Sequence, residues 1–209
     1  MKALAKDPYN VIITGVGGQG NVMASRLLGN ILSHKGYYVT IGETFGASQR
    51  GGSVMSHLRV SQQSVWSPQI PKGKADIVVV LEPLEALRVM PMYGNEGVKV
   101  IANTRPIHPA GVIAGDFAYP TLDEIREALA QLAVDVFFIS ATDEAMKLGN
   151  PILANVIMMG ALAATEVLPF DMDDFREALS GSVSKDKVDI NMKAFSIGMS
   201  MIRGNSTIN

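Results

Sequence analysis

The sequence predicts an α/β fold of three layers, a largely parallel sheet flanked by helices, that opens on a Rossmann-like βα unit. Three observations carry this expectation. Short apolar runs rich in Val and Ile recur along the chain, at residues 11–14, 76–81 and 98–103. Stretches with apolar residues three or four positions apart lie between them. The first run passes directly into Gly15-Val16-Gly17-Gly18-Gln19-Gly20, a tight turn that opens a helical pattern. Strands alternating with helices favour a parallel sheet between helical layers.

In chain order, residues 11–14 read as a buried strand. Residues 22–35 then place Val22, Met23, Leu27, Leu28, Ile31 and Leu32 near one helical face, with Gly36 suited to end the helix. Residues 37–41 read as the next strand, ending at Gly42-Glu43. Residues 53–60 alternate, with Val54, Leu58 and Val60 on one side and Met55, His57 and Arg59 on the other, which predicts a strand with one polar face. Residues 67–73 form a loop. The Ile-Val-Val-Val-Leu run after Asp76 has no polar face, so that strand should be covered on both sides.

Pro83 can begin the following helix, because its first position needs no N–H donor. Thr121-Leu122-Asp123-Glu124 is a capping box for a helix to about Ala133, and residues 136–139 form another strand. Asn150-Pro151 supplies a cap and first residue for a long helix to about Leu168. That helix is apolar nearly all round and should be buried, and Asn155 inside it would then need a hydrogen-bond partner. Asp171 caps a further helix ending before Gly181, and residues 189–203 form the last one. Residues 1–203 read as a single domain, with 204–209 a frayed tail.

Composition removes several classes of function. The 209 residues carry 18 basic and 20 acidic side chains, a net charge of −2, with no basic stripe for nucleic acid. There is no cysteine, which excludes disulfides, thiol nucleophiles and cysteine-ligated iron–sulfur clusters on this chain. The first ten residues lack the apolar segment of a secretory signal. The apolar stretch at 152–165 falls short of the roughly 20 residues that span a bilayer. The expectation is a cytoplasmic chain with neither a nucleic acid nor a membrane as partner.

Two glycine-rich loops are the candidate site. Gly15, Gly17 and Gly20 fit the dinucleotide fingerprint, and Glu43 falls where a ribose-binding acid would sit. Against an NAD enzyme, the chain shows no separate substrate domain and no hydride-transfer dyad. The loop is therefore either a tight turn that binds nothing or a contact for an anion or cofactor through Gly15, Gly17, Gly18, Gln19 and Gly20. The second loop, Ser48-Gln49-Arg50-Gly51-Gly52-Ser53, sets a permanently charged guanidinium among residues small enough for close approach. A solvated arginine in a surface turn is the plainer alternative. His34, His57 and His108 are too scattered for a metal site, and Ser48, Ser53 and Ser56 lack a His/Asp relay.

The order of these segments resembles a known family. After the first glycine loop come Glu43-Thr44 and Ser48-Gln49-Arg50-Gly51-Gly52-Ser53-Val54-x-Ser56-His57-x-Arg59. Ser67-Pro68-x-Ile70-Pro71-x-Gly73-x-Ala75-Asp76 and Glu82-Pro83-Leu84-Glu85-Ala86-Leu87-Arg88 follow. This is similar to the small, gamma-type subunit of 2-oxoacid:ferredoxin oxidoreductases, and within them to the beta subunit of the indolepyruvate type. Phe45 departs from the polar residue, often histidine, expected at its place. The resemblance implies an assembly that decarboxylates a 2-oxoacid such as indolepyruvate, forms an acyl-CoA and reduces ferredoxin. It implies that thiamine diphosphate, magnesium and the iron–sulfur clusters belong to a large catalytic partner subunit. This chain would hold none of them alone, would carry no catalytic residue, and would contact either the coenzyme A phosphates or a partner segment near the active site through Arg50, Gly51 and Gly52.

Overall fold

The computed structural model describes residues 2–46, 52–180 and 184–204, leaving aside the side chains of Lys185 and Asp186. Ser48, Gln49, Arg50 and Gly51 of the second glycine loop therefore lie outside the described residues, as does the expected tail beyond Gly204.

Six strands make one sheet in the order β2-β3-β1-β4-β5-β6. They are β1 (Tyr9–Val16), β2 (Tyr38–Phe45), β3 (Ser53–Ser61), β4 (Ile77–Val80), β5 (Lys99–Asn103) and β6 (Asp135–Ile139). β1, β4, β5 and β6 pair in parallel, with Val11 opposite Ile77 and Ile77 opposite Lys99. β3 runs antiparallel to both β1 and β2, so five strands share one direction and β3 alone opposes them. The sheet is thus largely parallel, as expected.

Alternation along the strands divides the core. Val11, Ile13, Ile77, Val79 and Ile101 face one helical layer, which contains α1 (Asn21–His34), α6 (Ala154–Ala164), α7 (Met172–Leu179) and α8 (Lys185–Gly204). Ile12, Val78, Val80, Val100 and Ala102 face the other, made by α2 (Pro83–Tyr93) and α4 (Leu122–Leu132). Burial on both faces explains why β4 has no polar residue at all. Two short helices not expected from the sequence, α3 (Ala110–Ala114) and α5 (Ala141–Lys147), lie in the connections that follow β5 and β6.

The local signals act as expected at most helix ends. Gly36 takes a φ of 89° and its N–H bonds to the Ser33 carbonyl at 2.9 Å, closing α1. Thr121 and Glu124 form a complete capping box on α4, and Asp171 with Asp174 forms another on α7. Phe175 of α7 stacks on Phe195 of α8 with ring centroids 4.4 Å apart, an arrangement worth about 0.5–1.5 kcal/mol beyond the area it buries.

Four expectations are corrected. β2 continues to Phe45, because the hairpin ladder with β3 holds it there, Phe45 opposite Val54. The polar side expected of β3 is covered instead of open: Arg59 and His57 are buried beneath the 66–70 segment. Arg59 donates to Asn10 at 3.1 Å and to the Ser67 carbonyl at 3.3 Å, and its guanidinium lies over the Trp66 ring. The long helix expected from Asn150 to Leu168 begins as a 3-10 turn, Pro151–Leu153, and α6 stops at Ala164, with Glu166 turning into positive φ. The last helix starts at Lys185 instead of residue 189.

Candidate cofactor crevice

The chain leaves β1 toward one helical layer and β4 toward the other. The carboxyl ends of these two neighbouring strands therefore open a crevice at the point where the topology reverses, the place where open α/β sheets take ligands. The first glycine loop lies there. Gly18 and Gly20 take φ of 100° and 82°, conformations that a side chain would strain. Gly20 stands at the head of α1, whose first turn no side chain caps among the described residues. Beside them, Asn21 is buried and its Oδ1 has no partner among the described residues, while its Nδ2 donates to the Val16 carbonyl at 3.4 Å.

Gln19 spans the crevice floor. Its Oε1 accepts from the Val16 N–H at 2.9 Å and its Nε2 donates to the Leu81 carbonyl at 2.8 Å. Asn103, at the end of β5, donates to the same Leu81 carbonyl at 3.0 Å and to Thr142 Oγ1 at 2.8 Å. Three strand ends are tied together at one carbonyl. A Cβ on Gly15 would come within 2.5 Å of Gln19 Oε1, so Gly15 is small in order to seat the glutamine. The side chain of Gln19 is spent on the fold, and it is the backbone of Gly17 and Gly18 that lines the crevice on both sides.

The two glycine loops meet. The Gly17 N–H donates to the Gly52 carbonyl at 2.9 Å, and Ser53 Oγ donates to Glu85 Oε2 at 2.5 Å. Glu43 does not join them. β3 separates β2 from β1, which moves the acid one strand further out than in a dinucleotide fold, about 4.8 Å. Glu43 instead pairs with Arg26 of α1 at 3.3 Å. Asn155 fills the space that a Cβ on Gly20 would need, its Nδ2 within 2.3 Å of that position. The partner expected for Asn155 is not found among the described residues.

Two hollows share Gly17, Gly18 and Ile152. One, of about 430 Å³, is walled by Arg105, Pro106, Ile107, Thr142 and Asn150. The other, of about 770 Å³, is apolar, with Met23 and Phe45 on its rim, 64% and 61% exposed. Among the described residues no group of three or more His, Cys, Asp or Glu side chains converges on a metal position.

Sequence reasoning missed the carboxylate that organises the far wall. Glu82, 1% exposed, caps α2 by accepting the Glu85 N–H at 3.2 Å on Oε2. Its Oε1 accepts the Ile107 N–H at 3.2 Å and also the Tyr119 hydroxyl in a short bond. Burial pushes the Glu82 carboxyl above its ordinary range, against the lowering effect of these bonds. Burial, then the bond to Glu82, likewise raises Tyr119. The signal was available in Glu82-Pro83, a cap and first-turn pair, but nothing local connects it to residues 25 and 37 positions on.

A doubly wound sheet with a glycine turn at its switch point defines an α/β domain of Rossmann-like design. This chain belongs to the pyruvate ferredoxin/flavodoxin oxidoreductase family, whose profile matches residues 10–201. It is 40% identical to indolepyruvate oxidoreductase subunit IorB of Thermococcus kodakarensis over 91% of this chain and 94% of that one. Pyruvate oxidoreductase subunit PORC of Thermotoga maritima has the same fold, with a TM-score of 0.67 at 20% identity over 93% of this chain and 97% of that one. So does part of 2-oxoglutarate:ferredoxin oxidoreductase of Magnetococcus marinus, a structure with 2-oxoglutarate, coenzyme A and succinyl-CoA bound. There the TM-score is 0.70 at 18% identity, covering 98% of this chain and 32% of the other. The chain is a subunit of an oxidoreductase of the 2-oxoacid:ferredoxin type.

Proposed function

We propose that this chain is the small subunit of an arylpyruvate:ferredoxin oxidoreductase of the indolepyruvate kind, and that its crevice presents a contact for coenzyme A to a large catalytic subunit. The single observation that carries the crevice assignment is the head of α1 at the switch point, which no side chain caps among the described residues and which Gly17 and Gly18 flank. Backbone N–H groups there suit phosphate oxygens, and Arg105 and Thr142 suit the same groups in the adjoining hollow, on the other side of Gly17 and Gly18. Coenzyme A would supply the thiol that accepts the acyl group. The crevice binds and orients it, and the reacting carbon is handled elsewhere. Thiamine diphosphate and magnesium are assigned to the partner on the family resemblance, and the clusters because this sequence has no cysteine to ligate iron. Arg50, Gly51 and Gly52 are assigned to coenzyme A or to the partner subunit on the family resemblance.

A second reading, a non-enzymatic assembly module, is favoured by the apolar hollow with Met23 and Phe45 at its rim. One experiment separates the readings. Viologen reduction with indolepyruvate or pyruvate and coenzyme A is measured for this chain, for the catalytic subunit, and for both co-expressed. The proposal expects activity in the co-expressed sample only, and Arg50→Ala in that complex should raise the KM for coenzyme A or lower turnover. An Arg50→Ala complex that fails to form supports docking. Activity of this chain alone overturns the assignment.

A further inference from the structure

Between β5 and α4 the chain makes an excursion whose ends are held by one atom. Glu82 Oε1 accepts both the Ile107 N–H near its start, at 3.2 Å, and the Tyr119 hydroxyl at its end. Tyr119 in turn accepts the Leu84 N–H at 3.3 Å, so both feet of the excursion rest on the first turn of α2. Little else fastens it. α3, inside the excursion, buries none of its residues, and Ile113 and Phe117 are exposed. The ion pair of Arg105 with Asp143 is half open to solvent on both sides, so it adds little. Arg105, Pro106 and Ile107 form one wall of the 430 Å³ hollow, opposite Gly17 and Gly18.

We propose that Glu82 is a positioning residue for the reaction: by clasping Ile107 and Tyr119 on one oxygen it fixes the wall of the crevice against which coenzyme A is held. This rests on the assignment of coenzyme A to the crevice. The carboxylate suits the task because one oxygen can accept two donors while the other caps α2, whereas a glutamine has one accepting oxygen for all three. Its burial keeps water from competing for the donors.

The test uses the assembled enzyme with Glu82→Gln, Tyr119→Phe and the pair combined. Each single variant should raise the KM for coenzyme A about five- to tenfold, the equivalent of one lost hydrogen bond, with kcat within about twofold. The double variant should fall short of the summed effects of the singles, because the Tyr119–Glu82 bond is counted in both. Amide exchange across residues 108–118 should accelerate in all three. Tyr119→Phe keeps the ring and guards against a folding failure of Glu82→Gln. Arg105→Ala, which changes the wall itself, separates the two levels of the argument. If it raises the KM while the Glu82 and Tyr119 variants leave it unmoved, the clasp is overturned and the crevice assignment stands. If all the variants leave the KM unmoved, both fall. A loss of kcat at constant KM also overturns the clasp.

Discussion

Gly160 of α6 and Gly198 of α8 face each other's helix so closely that neither tolerates a side chain. A Cβ on Gly160 would lie 2.0 Å from the Phe195 carbonyl oxygen, and one on Gly198 would lie 1.9 Å from the Ile157 carbonyl oxygen. The obstacle in each case is backbone, which cannot swing aside. Gly160→Ala and Gly198→Ala should each destabilise the chain by about 1–3 kcal/mol or more through forced separation of the helices. Gly97→Ala, whose Cβ would meet only Asn95 Oδ1 at 3.6 Å, is the control. Thermal melts of the three variants check this; equal melting temperatures would remove the crossing from the account.

His57 makes stability depend on pH. It is buried against Tyr93, in edge-to-face contact at 5.1 Å, and its Nδ1 accepts the Ile70 N–H at 3.4 Å, so the ring must be neutral there. Burial lowers its pKa. The unfolded chain then binds a proton that the folded one refuses. This contribution is fully present above the ordinary histidine value near 6.5 and is lost as pH falls through that value toward the folded one. The slope can reach about 1.4 kcal/mol per pH unit. Urea unfolding between pH 5 and 8 should show the loss, and His57→Asn should flatten it.

Gln19 and Gly15 should be coupled. Gln19→Ala removes two hydrogen bonds and leaves the Val16 N–H without its acceptor, a cost of about 1–3 kcal/mol. Gly15→Ala clashes first with Gln19 Oε1, at 2.5 Å, so it should cost less once residue 19 is alanine. A double-mutant cycle by chemical denaturation reads this directly; simple additivity would contradict it.

The isolated chain should not bind NADH in calorimetry. Glu43 stands one strand away from the ribose position and faces Arg26, while Gln19 bridges the floor of the crevice. Glu43→Ala should change stability by less than about 1 kcal/mol, because Arg26 in that pair is largely exposed. Measurable NADH affinity that Glu43→Ala abolishes would restore the dinucleotide reading.

Local chemistry made much of this legible. The capping boxes at Thr121 and Asp171, the glycine at 36 and the unbroken apolar run of β4 all act where the sequence placed them. What escaped was non-local. The alternation of β3 reads as a strand with one polar side, but nothing near it announces that Trp66, Ser67 and Ile70 fold back over Arg59 and His57. Its direction escaped as well, since the alternation of residues 53–60 is the same whether the neighbouring strand is parallel or antiparallel. That one antiparallel insertion separates Glu43 from the glycine turn and so decides against the dinucleotide pattern. Glu82 was visible only as part of a motif, since its partners Ile107 and Tyr119 come from a later connection.

The apolar surface of α6 has a consequence for how the chain is made. Nearly every residue of α6 is buried, and α8, which covers it, is translated afterwards. Until that helix leaves the ribosome, α6 has no lid, and the nascent domain exposes its most hydrophobic segment. Folding of this subunit is therefore completed from its last helix inward. A released chain truncated between α7 and α8 should bind chaperones, whereas one that includes α8 should not.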